Sequence, residues 1–391
     1  MPITSTLIAP LVRKAGLVAA VLALLAGVFA STAAAKPGAV VFSKVVTKTD
    51  KQVVTDKEGN PVKDKDGKTE YKETTTIEGG LFAVRDHHLN QLTEDPSDTE
   101  PAFSPDGRTI AFVRGDDIYS VRPDGSGQRH LTSGGELDST PLIAPNGRYL
   151  VFERRDGAGA AADLYTVGVL GGGVHRVTNS PEDDHDATFS PDGKAIAFVR
   201  SSVVGGDTLD DIYSVRPSGA KLARLTRTAN VDEFEPRYFS GGILFSRGER
   251  SESPSAYADI YTMRRNGKKM RPLVRGVGSA YVEDVSAAGH LLLFRRDQGL
   301  WVKKIGPKKA RKLTQLPDGS ETSAVFSSDG RKAAAFIEAG SREQLSSIDV
   351  RSGSATELAE GFVPSETSET GGTTTSLGPV IAWQPSPKAG R

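Results

Sequence analysis

A repeated acidic position is the feature of this chain whose chemistry most favours a binding site. Five residues before the apolar anchor of a recurring unit stand Asp98, Asp138, Asp184, Glu233 and Glu321. A ring of carboxylates could hold a cation such as Ca2+ or the basic end of a peptide. Equally, each carboxylate could cap its own turn or bond the backbone of the neighbouring unit, which is a structural role. His185 lies beside this position and completes the candidate ligand-binding set.

The recurring unit is predicted to be a β-hairpin. Its clearest copies lie in Glu100–Arg114 and Ala187–Arg200, which share Phe-Ser-Pro-Asp-Gly followed by Ile-Ala-Phe-Val-Arg. Pro-Asp-Gly suits a tight turn because proline presets φ and glycine accepts the left-handed conformation. The flanks alternate as half-buried strands do. The anchors stand at Phe103, Ile143, Phe189, Tyr238, Val285 and Phe326, with spacings of 40, 46, 49, 47 and 41 residues. A period in this range predicts the blades of a propeller.

Two further strands follow each hairpin. The third contains Asp-Ile-Tyr or a related triplet, as at Asp117–Tyr119 and Asp211–Tyr213, and the fourth ends in Leu-Thr or a related pair. The fourth-strand pairs stand at 92–93, 131–132, 177–178, 225–226, 273–274, 313–314 and 357–358. We therefore predict an all-β fold, a seven-bladed propeller of four-stranded antiparallel blades.

The two ends of the propeller are predicted to share one blade. Ala39–Val46 matches the second strand of the unit and lacks a first strand before it, while Trp383-Gln384-Pro385 imitates Phe103-Ser104-Pro105. A C-terminal strand should therefore pair with the N-terminal strand and close the ring. On this prediction residues 36–391 form a single propeller domain, with a projecting hairpin at 47–78 and a linker at 360–377 before the closing strand.

Residues 1–35 are interpreted as a secretory signal peptide. Arg13 and Lys14 precede an apolar run, Ala15–Ala30, and three alanines at 33–35 fit a cleavage site. An uncleaved anchor is the alternative, although the run is shorter than the ~20 residues of a spanning helix. We expect a secreted, periplasmic or cell-envelope location with no membrane span after cleavage. The chain has no cysteine, so its stability rests on the packed core without disulfides.

The charge balance argues against nucleic acid as a partner. Without Arg13 and Lys14, 47 basic residues face 49 acidic residues, so the mature chain carries about −2. A nucleic-acid-binding surface requires a basic balance or a basic stripe.

The hairpin and third-strand motifs resemble the TolB-type, WD40-like (PD40) β-propeller repeat. The resemblance covers about residues 80–358 and is closest at 101–132 and 187–226. It implies the propeller architecture and says little about function. TolB carries an α/β domain before its propeller, whereas here the repeats follow the predicted signal peptide. The TolB propeller usually has six blades, which leaves six as the alternative count. The partners of TolB are therefore not transferred to this chain.

Similar propellers also occur in enzymes. Some TolB-like propellers are lyases of acidic sugars that use a histidine-held metal, which requires several imidazoles that converge on inner strands. Here only His185 falls near an inner strand, since His87 and His88 lie in a hairpin and His130 and His175 on outer strands. Peptidases with a similar propeller carry their nucleophile in a separate α/β-hydrolase domain. This chain has neither a Gly-x-Ser-x-Gly elbow nor the residues to build that domain.

These patterns together predict an exported, non-catalytic, monomeric propeller. We expect it to bind a protein or another envelope ligand at the mouth of its channel, with the 47–78 hairpin as a further contact, because loops on a rigid scaffold usually carry recognition. No catalytic residue is assigned. No cofactor is expected except the candidate Ca2+ at the channel mouth. A glycan-processing, lyase-like enzyme that uses the acidic mouth is the alternative function.

Overall fold

The fold consists of β-strands throughout the part of the chain that the structure describes. This computed structural model describes residues 38–85, 87–249, 258–276, 278–340, 342–362 and 371–383. The predicted signal peptide, 1–35, lies outside the described residues. No helix in the described ranges is long and apolar enough to cross a membrane.

The strands follow one another in short antiparallel hairpins. In chain order they are β1 (Val40–Val53), β2 (Tyr71–Arg85), β3 (His88–Gln91), β4 (Asp98–Phe103), β5 (Ile110–Arg114), β6 (Asp117–Val121), β7 (Arg129–His130), β8 (Leu137–Ile143), β9 (Tyr149–Arg155), β10 (Ala162–Gly168), β11 (His175–Arg176), β12 (Asp183–Phe189), β13 (Ile196–Val204), β14 (Asp207–Val215), β15 (Ala223–Arg224), β16 (Val231–Phe239), β17 (Gly242–Glu249), β18 (Ala258–Met263), β19 (Arg271–Val274), β20 (Ala280–Val285), β21 (Leu291–Arg296), β22 (Gly299–Lys304), β23 (Arg311–Gln315), β24 (Glu321–Phe326), β25 (Lys332–Ala339), β26 (Arg342–Asp349), β27 (Ala355–Phe362) and β28 (Gly371–Trp383).

These strands form seven four-stranded antiparallel blades. Blade 1 is β4 to β7, blade 2 is β8 to β11, blade 3 is β12 to β15, blade 4 is β16 to β19, blade 5 is β20 to β23, blade 6 is β24 to β27, and blade 7 is β28 with β1 to β3. The first strand of each blade contacts the first strand of the next blade all the way around, so these inner strands surround the central channel. The predicted seven-bladed propeller is confirmed, and the six-bladed alternative does not apply.

The C-terminal strand closes the ring, as the sequence predicts. β28 pairs antiparallel with β1, with Trp383 opposite Val40 and Ile381 opposite Phe42. A tail strand thus supplies the inner strand of blade 7, and the N-terminal strands supply the other three. Because β1 has a paired strand on each side, the two ends of the chain are joined within one blade.

The segment predicted as a linker at 360–377 is partly strand. β28 begins at Gly371, which lies opposite Asp50 of β1. The pairing of the two strands extends from there to the C-terminal end of β28 and is interrupted only by a bulge between Phe42 and Lys44. Three β-branched residues, Thr373 to Thr375, favour extended backbone, and the long strand β1 offers an edge for them. Residues 363–370 of the predicted linker lie outside the described residues.

The projecting hairpin and the start of β28 form a three-stranded extension of blade 7, which we call the arm (residues 44–79 and 371–377). Within it β1 and β2 pair without a register shift as far as Val53 opposite Tyr71. At the tip, the Asp64 carboxylate accepts backbone hydrogen bonds from Asp66 and Lys68, both of 2.9 Å. The Asp-Lys-Asp-Gly segment is therefore a turn closed by its own aspartate.

One phenylalanine in the second strand of every blade anchors the core. The seven are Phe42, Phe112, Phe152, Phe198, Phe245, Phe294 and Phe336, all with at most 2% exposure. In blades 1 to 4 a tyrosine of the third strand lies beside this ring, with centroids 5.7 to 6.1 Å apart. The core therefore repeats from blade to blade, which explains why the sequence period is visible.

The fourth strands of blades 7, 1, 2 and 3 end just before the predicted pair, whereas those of blades 4, 5 and 6 contain it. β7 stops at His130, and the following Leu131-Thr132 pair, predicted as its end, lies just beyond it. Leu131 is buried between blades, and the Thr132 hydroxyl accepts a 2.8 Å hydrogen bond from the backbone N–H of Ile118. The same bond recurs in blades 7, 2 and 3. In these four blades the threonine hydroxyl replaces a backbone partner, so the pair recurs in the sequence although it lies just after the strand.

Candidate functional site

A β-bulge interrupts the inner strand of blades 1 to 5 at the same place. The register shifts lie between Thr99 and Ala102, Ser139 and Leu142, His185 and Thr188, Phe234 and Arg237, and Val282 and Asp284. Four bulge residues with side chains take left-handed φ angles of 50 to 54°: Glu100, Thr140, Asp186 and Glu235. A bulge redirects side chains and releases backbone groups from the ladder. These bulges are therefore the positions where polar chemistry enters the inner strands.

The released backbone groups are bound by side chains of the preceding blade. The hydrogen bonds run from Thr140 N to Glu100 Oε2 (2.5 Å), Asp186 N to Glu153 Oε1 (2.9 Å), Val282 N to Ser246 Oγ (2.9 Å), Ala324 N to Glu283 Oε2 (3.0 Å) and Phe326 N to Asp284 Oδ2 (2.7 Å). The first three bonds satisfy donors at a bulge, and the last two satisfy donors of the inner strand of blade 6, whose pairing has no register shift. Carboxylates near the channel thus join consecutive blades.

The predicted carboxylate ring has a different environment. Asp98, Asp138 and Asp184 each accept two hydrogen bonds of 2.6 to 2.8 Å from an arginine of their own blade, at the end of the second strand. Their side chains are fully buried. A guanidinium fork engages both oxygens of a carboxylate, so these three residues form ion pairs within their own blades.

The arginines that hold these carboxylates also stack on aromatic rings. Arg114, Arg154 and Arg200 lie 4.8 to 5.3 Å from the centroid of the third-strand tyrosine of their blade. Each blade thereby gains a layered aspartate–arginine–tyrosine unit, in which the buried positive charge is balanced on both sides.

The two glutamates of the predicted ring differ from the aspartates. Glu233 accepts a single 3.0 Å hydrogen bond from Arg247 Nε, and burial raises the pKa of its carboxyl despite that arginine. Glu321 begins β24, and its side chain lies outside the described residues. Blade 5 has Ala280 at this position, and there Arg295 donates instead to Glu283 of the bulge, at 3.0 Å.

His185 lies at the bulge of blade 3, where the sequence places it. Its Nε2 is 2.9 Å from the Ser201 hydroxyl, and its Nδ1 is 3.6 Å from Asp186 Oδ2. Burial by itself would lower the pKa of this imidazole, but bonding to Asp186 and the charges of Glu153 and Asp210 raise it to about 9. His185 is therefore an imidazolium at neutral pH.

Charged side chains of blades 2 to 5 lie at the bulges or on the strands beside them. We call this group the bulge cluster; it comprises Glu153, His185, Asp186, Glu235, Arg237, Glu283, Asp284 and Arg295. The charge of Arg237 acts to lower the pKa of the carboxyls of Asp186, Glu235, Glu283 and Asp284. The cluster contains five carboxyls and three cationic groups.

Burial dominates the protonation of the cluster. It raises the pKa of Glu153 and of Glu283 to about 7 and that of Asp284 to about 6. Asp186 is the exception, because His185 and Arg237 overcome its burial and keep its pKa below the ordinary value. At neutral pH the cluster therefore holds both ionised and protonated carboxyls, which can accept or donate hydrogen bonds.

Sequence reasoning missed Glu153 and Glu283. Glu153 occupies the place of Val113 in blade 1 and Val199 in blade 3, immediately before the stacking arginine of each blade. A carboxylate at a buried position of an otherwise apolar strand is the signal that could have identified it. Among the described residues, no group of three or more histidine, aspartate or glutamate side chains is arranged to hold a metal ion.

The comparisons with known proteins agree with this architecture. No family profile matches the chain. A curated TolB homologue from Chlorobium luteolum is 28% identical over 75 residues, which is 18% of this chain and 17% of that relative. The structure of TolB from Acinetobacter baumannii superposes with a TM-score of 0.51 at 15% identity, over 87% of this chain and 83% of its own. The chain therefore has the β-propeller fold of TolB, and it is similar to a TolB homologue over part of its sequence.

A solved enzyme structure also superposes on this chain over a similar extent. Oligogalacturonate lyase from Vibrio parahaemolyticus superposes with a TM-score of 0.54 at 12% identity, over 84% of this chain and 99% of its own. At such identities the likeness concerns the fold alone. The curated match also spans only about a sixth of the TolB homologue. The same fold therefore occurs in a TolB and in a lyase, so the fold alone does not decide the function.

Proposed function

We propose that this TolB-type propeller is an exported, non-catalytic binding scaffold of the cell envelope or extracellular space, whose partner is a protein or another envelope ligand. The observation that carries the proposal is the convergence of His185, Asp186, Glu235 and Arg237 from the inner strands of two neighbouring blades. Rigid strands that hold mixed charges in fixed positions favour recognition of a complementary surface.

The hydrogen bonds of the cluster support binding. His185, with a pKa raised to about 9, is protonated at neutral pH and is therefore a hydrogen-bond donor and not a base. Glu153 and Glu283 accept backbone hydrogen bonds from the next blade, so movement of their carboxylates would disturb blade contacts. Because these carboxylates are fixed in position, they favour a rigid binding surface over a catalytic site whose groups move during the reaction.

The balance of charge indicates the chemistry of the ligand. The bulge cluster has five carboxyls against three cationic groups, but pKa values of about 7 leave Glu153 and Glu283 only partly ionised at neutral pH. Its small excess of negative charge favours a lysine or arginine side chain of a partner over an anionic group, and this preference increases above pH 7. Lyase-like glycan processing is nevertheless the second candidate, because His185, Asp186 and Glu153 are adjacent, as a catalytic group would be.

Calorimetric titration of the mature protein with an oligolysine peptide tests the binding proposal. We expect binding that weakens with salt, and at least about a tenfold loss of affinity in Glu235→Gln, since that residue faces Arg237 within the cluster. Glu94→Gln, at an exposed carboxyl outside the cluster, is the matched control. Equal affinities in both variants, or absence of peptide binding, would exclude the cluster as the recognition site.

Two further measurements address the metal and the enzyme. In a titration with Ca2+ alone, we expect the parent and Glu235→Gln to give the same heat. A heat of binding that is present in the parent and lost in Glu235→Gln would instead establish a cation site. Incubation with oligogalacturonate, followed by detection of new unsaturated ends, should show no cleavage. Cleavage that Glu153→Gln abolishes would replace the scaffold proposal with the lyase.

Export is the remaining part of the proposal and rests on the pattern of residues 1–35. Mass measurement of the protein recovered from the producing cell should show a mature N-terminus near residue 36. An intact N-terminus on protein retained in a membrane fraction would indicate the anchor alternative.

A further inference from the structure

The outer strand of the arm presents an open sheet edge. β2 pairs with β1 over its whole length, but β3 covers it only from Phe82 to Arg85. Within the described residues, no strand pairs with the other side of residues 71–78. All eight of these residues are exposed, including Tyr71 at 50% and Ile77 at 52%.

This edge lacks proline and a bulge, two of the features that normally prevent strand pairing, and its charged residues, Lys72, Glu73 and Glu78, are of both signs. Residues 71–78 read Tyr-Lys-Glu-Thr-Thr-Thr-Ile-Glu, without a proline. The β1–β2 register has no bulge that would twist the edge away. Threonine, isoleucine and tyrosine have high strand propensity. Natural proteins usually blunt such edges, and an unblunted one is a template for another strand.

We propose that the occupant of this edge is the same strand of a second copy, so that two chains associate through antiparallel β2–β2 pairing. The sequence is self-complementary about Thr75. When Thr75 lies opposite itself, Lys72 of each copy lies opposite Glu78 of the other. A neighbouring register with Glu73 opposite Glu78 would instead place like charges together, which is unfavourable.

The same register brings the exposed apolar side chains together. A two-fold axis perpendicular to the sheet at Thr75 keeps the odd-numbered residues of both strands on one face. Tyr71 of one copy then lies diagonally beside Ile77 of the other, within reach of an aromatic side chain. The two arms would form a continuous six-stranded sheet. This dimer departs from the monomer expected from sequence and does not depend on the proposed function of the bulge cluster.

The charge pairs provide a specific test. In a homodimer, Lys72→Glu places two carboxylates opposite each other at this pair, and Glu78→Lys places two ammonium groups opposite each other there. Each variant should therefore be monomeric. An equimolar mixture of the two should dimerise. In the heterodimer, each pair of residues 72 and 78 has a carboxylate from one variant opposite an ammonium group from the other. Lys65→Glu, at an exposed lysine of the arm tip, serves as the control and should dimerise as the parent does.

Sedimentation equilibrium of the mature protein up to about 100 μM measures the association. We expect a reversible monomer–dimer equilibrium for the parent and the control, at least a tenfold weaker one for each single variant, and recovery in the mixture. A parent chain that stays monomeric over this range overturns the proposal, as does a dimer that both single variants leave unchanged.

Discussion

The Glu153 carboxylate of blade 2 accepts a 2.9 Å hydrogen bond from the backbone N–H of Asp186 in blade 3. Asp186 is the left-handed residue of its bulge, so its N–H is released from the ladder of its own blade. Glu153 stands where blades 1 and 3 have a buried valine. At this position blade 2 therefore contacts blade 3 through a carboxyl group instead of an apolar side chain. The packing of the two blades depends on whether the Glu153 carboxyl is protonated.

The stability of the protein should fall as the pH rises from 5 to 8. Burial raises the folded-state pKa of Glu153 and Glu283 to about 7, above the ordinary value of 4.5. Between these values the folded state binds more protons than the unfolded state, so stability is greatest at the acidic end and decreases as the carboxyls ionise. We expect each carboxyl to contribute roughly 1–3 kcal/mol to this decrease. His185 acts in the same direction above pH 6.5.

Thermal unfolding at pH 5 and pH 8 measures this dependence. Glu153→Gln keeps the side-chain acceptor for Asp186 N and removes the titration, so the difference in Tm between the two pH values should shrink. Glu70→Gln, at an exposed carboxyl of the arm, should leave the difference as it is. A Tm that rises from pH 5 to pH 8 would contradict the assigned protonation of the cluster.

Removal of the stacking arginine of blade 2 should destabilise the fold strongly. Arg154→Met leaves the buried Asp138 carboxylate without the two hydrogen bonds of 2.7 and 2.8 Å that balance its charge. Loss of one partner of a buried pair costs about 3–5 kcal/mol. Urea unfolding measures the loss, and Arg122→Met, at an exposed arginine of blade 1, should change stability by less than about 0.5 kcal/mol.

Replacement of both partners separates the charge effect from packing. Asp138→Leu combined with Arg154→Met should recover part of the lost stability, since no uncompensated charge is left buried. If the single Arg154→Met variant is as stable as the parent, the aspartate–arginine–tyrosine unit is not structural and the predicted carboxylate ring regains its binding interpretation.

The threonine after the fourth strand should contribute measurably to each blade. Thr132→Val preserves shape but leaves the backbone N–H of Ile118 without its 2.8 Å acceptor. A buried unsatisfied donor costs about 1–3 kcal/mol, so the urea midpoint should decrease. Thr132→Ser restores the hydroxyl and should recover most of the loss. Equal midpoints for the valine and serine variants would show that the hydroxyl is dispensable.

Deletion of residues 378–391 should destabilise the whole propeller by several kcal/mol. The deletion removes the part of β28 that pairs with Val40 to Phe42 and opens blade 7 along its inner edge. Differential scanning calorimetry measures the effect. Replacement of the exposed arm tip, residues 54–70, by a short turn is the control and should leave the Tm close to that of the parent. An unchanged Tm in the truncated protein would refute closure by the tail.

The sequence by itself determined the repeat architecture. Each blade must bury a second-strand phenylalanine such as Phe112 and close a tight turn such as Pro105 to Gly107, and these local requirements recur with a visible period. The blade shared by the two chain ends could also be predicted from the sequence, because Trp383 matches the position of Phe103 in the repeat and a strand is missing before Ala39. Such features depend on neighbours in sequence or on internal repetition.

The roles of the charged residues were decided only by the tertiary structure. Asp138 and Glu100 occupy equally regular positions in their repeats, yet one is held by an arginine of its own blade and the other bonds the next blade. Which way a carboxylate points depends on the bulge in the inner strand, and bulges have no fixed sequence signature. The protonation of Glu153 likewise follows from burial between blades, a property of packing that no spacing of residues expresses.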